Sequence, residues 1–266
     1  MRILFIGDIF AKVGRDLVKR AVPALVRARD IDLVIANGEN AAGGFGLTRD
    51  ISHELFATGI AVMTSGNHVW DKREILAFID EEPRLLRPFN YPAGTPGRGS
   101  TIVTTPGGVR VGVLNLMGRV FMHALDDPFT LGRAEVDRLK EHASVVFVDF
   151  HAEATSEKVA MGWHLDGLAT AVVGTHTHVQ TADAQVLPGG TAYCTDVGMT
   201  GPHDGVIGVE RGPVINRFLT GLPARFDTAS GMPRLHGLII SADEATGRAT
   251  GIERLSLTPA DIEDLR

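Results

Sequence analysis

Cysteine and long apolar runs are scarce in this sequence of 266 residues. Its single cysteine, Cys194, cannot form a disulfide within the chain, which is typical of proteins in a reducing compartment. The first apolar run is interrupted by Asp8, so a secretory signal is not expected. No stretch reaches the ~18 apolar residues of a membrane span. We therefore expect a cytoplasmic protein without a membrane partner.

Positive charge is also in deficit, because the sequence has 26 lysines and arginines but 32 aspartates and glutamates, which gives a net charge of -6. Binding to nucleic acid through bulk charge is therefore not expected, although a local phosphate site is compatible with this balance. Apolar residues make up 44% of the chain and charged residues 22%, which is typical of a globular protein. We expect a single domain over residues 1–266, with the segment 91–99, rich in proline and glycine, as a surface loop.

Short apolar runs rich in valine and isoleucine are typical of strands that are buried on both faces of a sheet. Such runs occupy residues 3–6, 33–36, 60–63, 145–148 and 169–173. Segments with helical spacing at 15–29 and 48–58 separate the first three runs, which predicts parallel strands joined by crossover helices. Turn-rich connections within 101–116 and 235–257 predict antiparallel pairs. The pattern predicts an α/β fold with one mixed sheet or two stacked sheets.

Polar residues of metal-binding types follow each predicted strand. They are, in strand order, Asp8, then Glu39 and Asn40, then Asn67 and His68, then His151, then His176 and His178. Because ligands bind at the carboxyl ends of strands in an open α/β sheet, we expect these side chains in one crevice. Oxygen and imidazole donors without a thiolate suit iron, manganese or zinc, and they differ from the usual ligands of a structural zinc site. On an extended backbone, the rings of His176 and His178 would project to the same side.

The order of these motifs resembles the calcineurin-like metallophosphoesterase superfamily, whose usual signature is Asp-x-His, Gly-Asp, Gly-Asn-His-(Asp/Glu), a lone His and Gly-His-x-His. Longer motifs resemble its bacterial YmdB-type subgroup: GDIFAKVGR at 7–15, NGEN at 37–40, GNHVWD at 66–71, HAEATSEK at 151–158 and TDVGMTGP at 195–202. The resemblance covers nearly the whole chain. It implies a four-layer α-β-β-α sandwich with two mixed sheets and phosphodiesterase activity on 2′,3′-cyclic nucleotides.

The resemblance also implies a ligand set for two metal ions. One ion would be bound by Asp8, Glu39, Asn40 and His178, and the other by Glu39, Asn67, His151 and His176, with Glu39 shared. We expect divalent or trivalent transition-metal ions, iron or manganese first, with zinc or magnesium as alternatives.

Three positions depart from the superfamily pattern. Phe10 stands where a metal-binding histidine is usual, and Glu39 stands where an aspartate usually bridges the metals. We expect the amide oxygen of Asn40 to replace the missing imidazole. The last motif is longer by one residue, because Thr175 separates Gly174 from the first histidine.

Two divalent ions with the carboxylates of Asp8 and Glu39 would leave a positive site, which suits a phosphate anion. A hydroxide that bridges the ions is expected to attack phosphorus in line. His68 lies outside the implied ligand set, and we expect it to protonate the leaving oxygen as a general acid, contributing about 10²–10⁴ in rate. The alternative is a histidine that orients a ligand or packs in the core. Orienting roles compete with ordinary caps and turns for Asp71, Asp149 and Asp196.

Three functions are open at this point. The first is a dinuclear-metal phosphodiesterase whose partner is a small phosphoester, in particular a nucleotide. The second is a phosphomonoesterase on the same metals, because fold and metal site do not fix the type of ester. The third is a regulatory protein that binds a nucleotide with little turnover. It is considered because Phe10 stands where the superfamily has a metal-binding histidine, and the loss of one ligand can weaken metal binding. A homo-oligomer is compatible with all three.

Overall fold

The computed structural model describes residues 1–265. In this range the strands are β1 (Arg2–Ile6), β2 (Asp8–Ile9), β3 (Leu33–Asn37), β4 (Val62–Thr64), β5 (Ser100–Thr104), β6 (Arg110–Met117), β7 (Val145–His151), β8 (Ala171–Thr175), β9 (Gln185–Val186), β10 (Ala192–Cys194), β11 (Met199–Pro202), β12 (Pro233–Ala242) and β13 (Ala249–Leu257). The helices are α1 (Ala11–Ala28), α2 (Arg49–Phe56), α3 (Pro128–Lys140), α4 (Thr155–His164), α5 (Arg211–Thr220) and α6 (Pro259–Glu263), with a 3-10 helix at Arg73–Ala77.

The strands form two sheets. The first has the order β2-β11-β12-β1-β3-β4, with β13 paired to β12, and the second has the order β5-β6-β7-β8-β10-β9. In the first sheet, β1 is parallel to β3 but antiparallel to β12. In the second, β6, β7 and β8 are parallel, whereas β5 is antiparallel to β6. Both sheets are therefore mixed, and the predicted antiparallel pairs β5–β6 and β12–β13 are confirmed.

Alternating side chains of each sheet build three apolar layers. On β1, Ile3 and Phe5 face the second sheet, and Leu4 and Ile6 pack on α1. The rings of Phe5 and Phe147 meet between the sheets at a centroid distance of 5.0 Å. The outer face of the second sheet packs on α3 and α4 through a third group of buried residues that includes Val136, Leu139 and Met161. Helices thus cover both outer faces, which confirms the four-layer α-β-β-α sandwich.

The start of α1 lies earlier than the predicted start at residue 15. The helix begins at Ala11, although the preceding Phe10 offers no side-chain cap. Instead, the amide of Phe10 donates to the carbonyl of Thr200, and the amide of Ala11 donates to the carbonyl of Asn40, each at 2.9 Å. Contacts with distant segments therefore satisfy two of the amide donors at the start of this helix.

The parallel strands end at one edge of the sandwich. Strands β1, β3 and β4 of one sheet and β7 and β8 of the other direct their carboxyl ends there, and the candidate site residues follow these ends. Among residues 1–265, no helix has both the length and the apolar character that crossing a bilayer requires.

Candidate metal centre

The structure gathers the predicted ligands at this edge, in two groups that meet at Glu39. In the first group, Nε2 of His151 lies 3.0 Å from Oε1 of Glu39, 2.9 Å from Oδ1 of Asn67 and 3.0 Å from Nδ1 of His176. The ligand atoms of Glu39, His151 and His176 all lie within 4.8 Å of one another. Carboxylate, amide and imidazole atoms therefore converge on one point, as the ligands of a transition metal do.

Hydrogen bonds outside the cluster fix the rings of its two histidines. The hydroxyl of Thr175 donates to Asp149 at 2.8 Å, so it accepts from Nδ1 of His151 at 2.9 Å. A carboxylate oxygen of Glu153 lies 3.1 Å from Nε2 of His176 and can accept a hydrogen bond from it. Nδ1 of His176 is then the ring nitrogen that carries the lone pair. Both rings can thus direct a lone pair into the cluster, the arrangement typical of metal-bound histidine.

The second group contains Asp8, Asn40 and His178. Nδ1 of His178 donates to the carbonyl of Ile207 at 3.0 Å, so its Nε2 carries the lone pair. That atom lies 3.9 Å from Oδ1 of Asp8 and 3.2 Å from Nδ2 of Asn40. Asn40 presents its amide nitrogen here, and it also donates to Glu39 at 3.3 Å. To bind a metal as expected from the sequence, Asn40 would have to turn its amide so that Oδ1 takes this place.

Asp8 provides the clearest sign that this group suits a cation. It is buried, and its Oδ1 has no hydrogen-bond partner among the described residues. Burial raises the pKa of Asp8 well above its ordinary value, and Glu39 raises it further against the opposing charge of His151. A buried carboxylate oxygen without a partner is costly unless a cation or a proton compensates it. The donor set therefore fits a metal ion.

The charges of the first group also favour a bound cation. Burial raises the pKa of Glu39, but the charge and hydrogen bond of His151 outweigh burial and lower this pKa to about 2. Burial lowers the pKa of His151, but Glu39 and Asp8 outweigh it and raise this pKa to about 9. Burial and the charge of His151 lower the pKa of His176 to about 3. The carboxylates that hold a proton on His151 would equally favour a metal cation at this point.

His68 lies beside these ligands but outside both groups. Its Nδ1 is 2.8 Å from Oδ2 of Asp71, and its backbone amide donates to Oε2 of Glu39 at 3.2 Å. The ring packs edge-on against Phe45 with centroids 5.0 Å apart. It also lines a cavity of about 580 Å³ together with Glu39, Asn40, His176 and His178. His68 is thus placed to reach a bound ligand, and Asp71 orients it.

The connection after β8 differs from the sequence expectation. His176 and His178 have φ angles of 102° and 66°, so the extended backbone invoked for this pair is wrong. Non-glycine residues rarely adopt such angles, and the conformation persists only where its surroundings enforce it. Asp196 enforces it here by accepting from the amide and the hydroxyl of Thr177, at 3.1 and 2.7 Å.

Two supporting residues were missed by sequence reasoning. Lys158 is buried and donates to Asp196 at 2.7 Å, and Glu153 contacts His176. Both follow His151 in the same motif, and that proximity was the available signal. Asp149, one of the aspartates for which the sequence left an orienting role open, accepts hydrogen bonds from Thr175, Thr64 and Asn37. Burial raises the pKa of Asp149 to about 6 against these hydrogen bonds.

Gly66 allows the sheet edge to approach the cluster. A Cβ at this position would lie 2.1 Å from Cδ2 and 2.3 Å from Nε2 of His151, so no larger residue fits beside the ring. The glycine thus lets Asn67, the next residue, reach the same nitrogen.

An α-β-β-α sandwich with these donors at the carboxyl ends of its strands defines the calcineurin-like metallophosphoesterase class. The family model described as YmdB-like protein matches residues 4–255, and the chain belongs to that family. A 2′,3′-cyclic-nucleotide 2′-phosphodiesterase of Bacillus subtilis is 53% identical over 255 residues, 96% of each protein.

Two solved structures are similar over almost the entire chain. A hypothetical protein from Thermus thermophilus has a TM-score of 0.88 and 46% identity, with 97% of this chain and 99% of that chain covered. A structure described as a novel phosphatase from Mycoplasma pneumoniae has a TM-score of 0.91 and 31% identity, with 100% and 99% covered. The resemblance stated from the motifs is therefore confirmed.

Proposed function

We propose that this protein is a metal-dependent phosphodiesterase that hydrolyses 2′,3′-cyclic nucleotides. The convergence of Glu39, His151 and His176 beside the unpaired oxygen of Asp8, on the wall of a large cavity, carries the proposal. The Bacillus subtilis relative is named for cleavage at the 2′ position. We therefore assign the bond between phosphorus and the 2′ oxygen as the one that breaks, which yields a 3′-nucleotide.

Two metal ions would be held as the family resemblance implies, one by Asp8, Glu39, Asn40 and His178 and the other by Glu39, Asn67, His151 and His176. Iron or manganese fits this mixture of oxygen and nitrogen donors. When bound, the ions supply Lewis-acid stabilisation of the phosphate charge and activation of water. The two carboxylates of the set leave part of the metal charge uncompensated, which favours an anionic substrate.

His68 would act as the general acid of this reaction. Asp71 accepts from Nδ1 of His68, so Nε2 is the ring nitrogen left to deliver a proton to the leaving 2′ oxygen. The hydrogen bond from the backbone of His68 to Glu39 ties this ring to the metal ligands, which supports a fixed distance between the two.

The test compares hydrolysis of 2′,3′-cyclic nucleotides and bis(p-nitrophenyl) phosphate with that of p-nitrophenyl phosphate. We expect kcat/KM for the diesters to exceed that for the monoester by at least about tenfold. A faster monoester would favour the phosphatase function, and no turnover by metal-loaded protein would favour the regulatory function.

His68→Ala should keep its metals and lose about 10²–10⁴ in rate, whereas Asn67→Ala should lose metal. Equal metal loss in both variants would make His68 a ligand instead.

A further inference from the structure

The cavity that His68 lines continues past the predicted ligands onto an apolar wall. Residues 206–226 contribute much of this wall, including Ile207, Phe218 and Phe226, and Phe45 lies on it as well. Phe218 is 85% exposed, which is unusual for a large aromatic side chain. Apolar and aromatic surface around a few polar groups is typical of a small-molecule site.

Arg217 is the one arginine or lysine among the described residues that line this cavity. Its guanidinium lies 5.5 Å from the centroid of the Phe226 ring. Within residues 1–265, no carboxylate forms an ion pair with it. A guanidinium that rests on an aromatic ring and keeps its donors unpaired is suited to bind an acceptor group on a ligand.

Phe10 packs between this wall and the ligand cluster. It lies in one apolar cluster with Val209 and Val214, against which Phe226 packs, and a Cβ added at Gly208 would lie only 2.8 Å from the Phe10 ring. Phe10 also meets the ring of His178 edge-on, with centroids 5.8 Å apart. The residue that stands in place of the superfamily's metal-binding histidine thus joins the ligand cluster to the segment that carries Arg217.

We propose that this wall binds the base of the nucleotide and that Arg217 donates hydrogen bonds to acceptor atoms on the base edge. The proposal rests on the proposed function, because the cyclic phosphate must lie at the metal end of the cavity. A base has apolar faces that stack on exposed aromatic rings such as Phe218. Guanine offers two adjacent acceptors, O6 and N7, that match the fork of an arginine. We therefore expect the guanine 2′,3′-cyclic nucleotide to be the preferred substrate.

The test measures kcat/KM for the 2′,3′-cyclic forms of GMP, AMP, CMP and UMP in wild type, Arg217→Gln and Arg217→Lys. Bis(p-nitrophenyl) phosphate, which has no base, is measured alongside. We expect both variants to lose about 10- to 100-fold with the guanine substrate, mainly through KM, and less than twofold with the aryl diester. Arg211→Gln is the matched control, because Arg211 is exposed on the same helix but does not line the cavity.

Binding of the products 3′-GMP and 3′-CMP, measured by calorimetry, separates this inference from the proposed function. Tighter binding of 3′-GMP that is lost in Arg217→Gln would support the base site even if no cyclic nucleotide were hydrolysed. Hydrolysis with equal losses for all four bases and the aryl diester would overturn the base contact while the proposed function stood. Unchanged constants in Arg217→Gln would overturn it too.

Discussion

Replacing Lys158 by methionine tests how the loop that carries His176 and His178 is held. Nζ of Lys158 lies 2.7 Å from Oδ2 of Asp196, and the two side chains are 2% and 0% exposed. The same carboxylate accepts twice from Thr177, and its other oxygen accepts from the amide of Gly198 at 2.8 Å. The methionine keeps most of the volume of the lysine but removes its charge, so Asp196 would be left buried without its cation.

The expected cost follows from that burial. Breaking a buried ion pair by removing one partner costs about 3–5 kcal/mol, because the remaining charge stays uncompensated. That is a large share of the roughly 5–15 kcal/mol that stabilises a typical domain. The double variant Lys158→Met/Asp196→Asn should lose less than the two single variants together, because no unpaired charge remains.

Urea unfolding monitored by circular dichroism measures this cost, and elemental analysis measures bound metal in the same samples. Lys19→Met is the matched control, because Lys19 pairs with Glu54 on the surface, where the side chains are 45% and 29% exposed. Its cost should stay below about 1 kcal/mol. If Lys158→Met were no more destabilising than this control and kept its metals, the buried pair would have no role in holding the loop.

Gly66→Ala should lose bound metal, because a Cβ would lie 2.1 Å from Cδ2 of His151; unchanged metal content would contradict this. Asp71→Asn should keep its metals but lower kcat about 10- to 100-fold, and an unaltered kcat would show that the orientation of His68 by Asp71 does not matter for the reaction. Burial lowers the pKa of His236 to about 4. The free energy of unfolding should therefore fall as pH drops from about 6.5 toward 4, where only the unfolded chain gains this proton, and His236→Gln should flatten the fall in urea titrations.

The sequence indicates which side chains meet at this edge of the sandwich because the relevant signal is local. Asp8, Asn67 and His151 each stand at or just beyond a buried apolar run, and parallel strands bring such positions to one edge. The type of each side chain then limits the chemistry. The strand predicted at 169–173 lies two residues later in the structure, where β8 spans Ala171–Thr175, and His176 and His178 still follow its end.

Features that depend on distant segments could not be found in this way. The left-handed conformation of His176 is enforced by Asp196, which comes from another connection. Arg217 lines the cavity only because α5 packs on Phe10, far away in the chain. The start of α1 likewise depends on the carbonyl of Thr200 rather than on a capping residue. Each case is a long-range contact without a periodic or local signature.

The most direct test of the central claim is the metal content of the purified protein, measured by elemental analysis after loading with manganese or iron. Two ions per chain are expected in wild type, and Glu39→Gln, which alters the shared ligand, should retain less than one while circular dichroism shows that it is folded. Wild-type protein that binds no transition metal, or Glu39→Gln that retains both ions, would contradict the proposed centre.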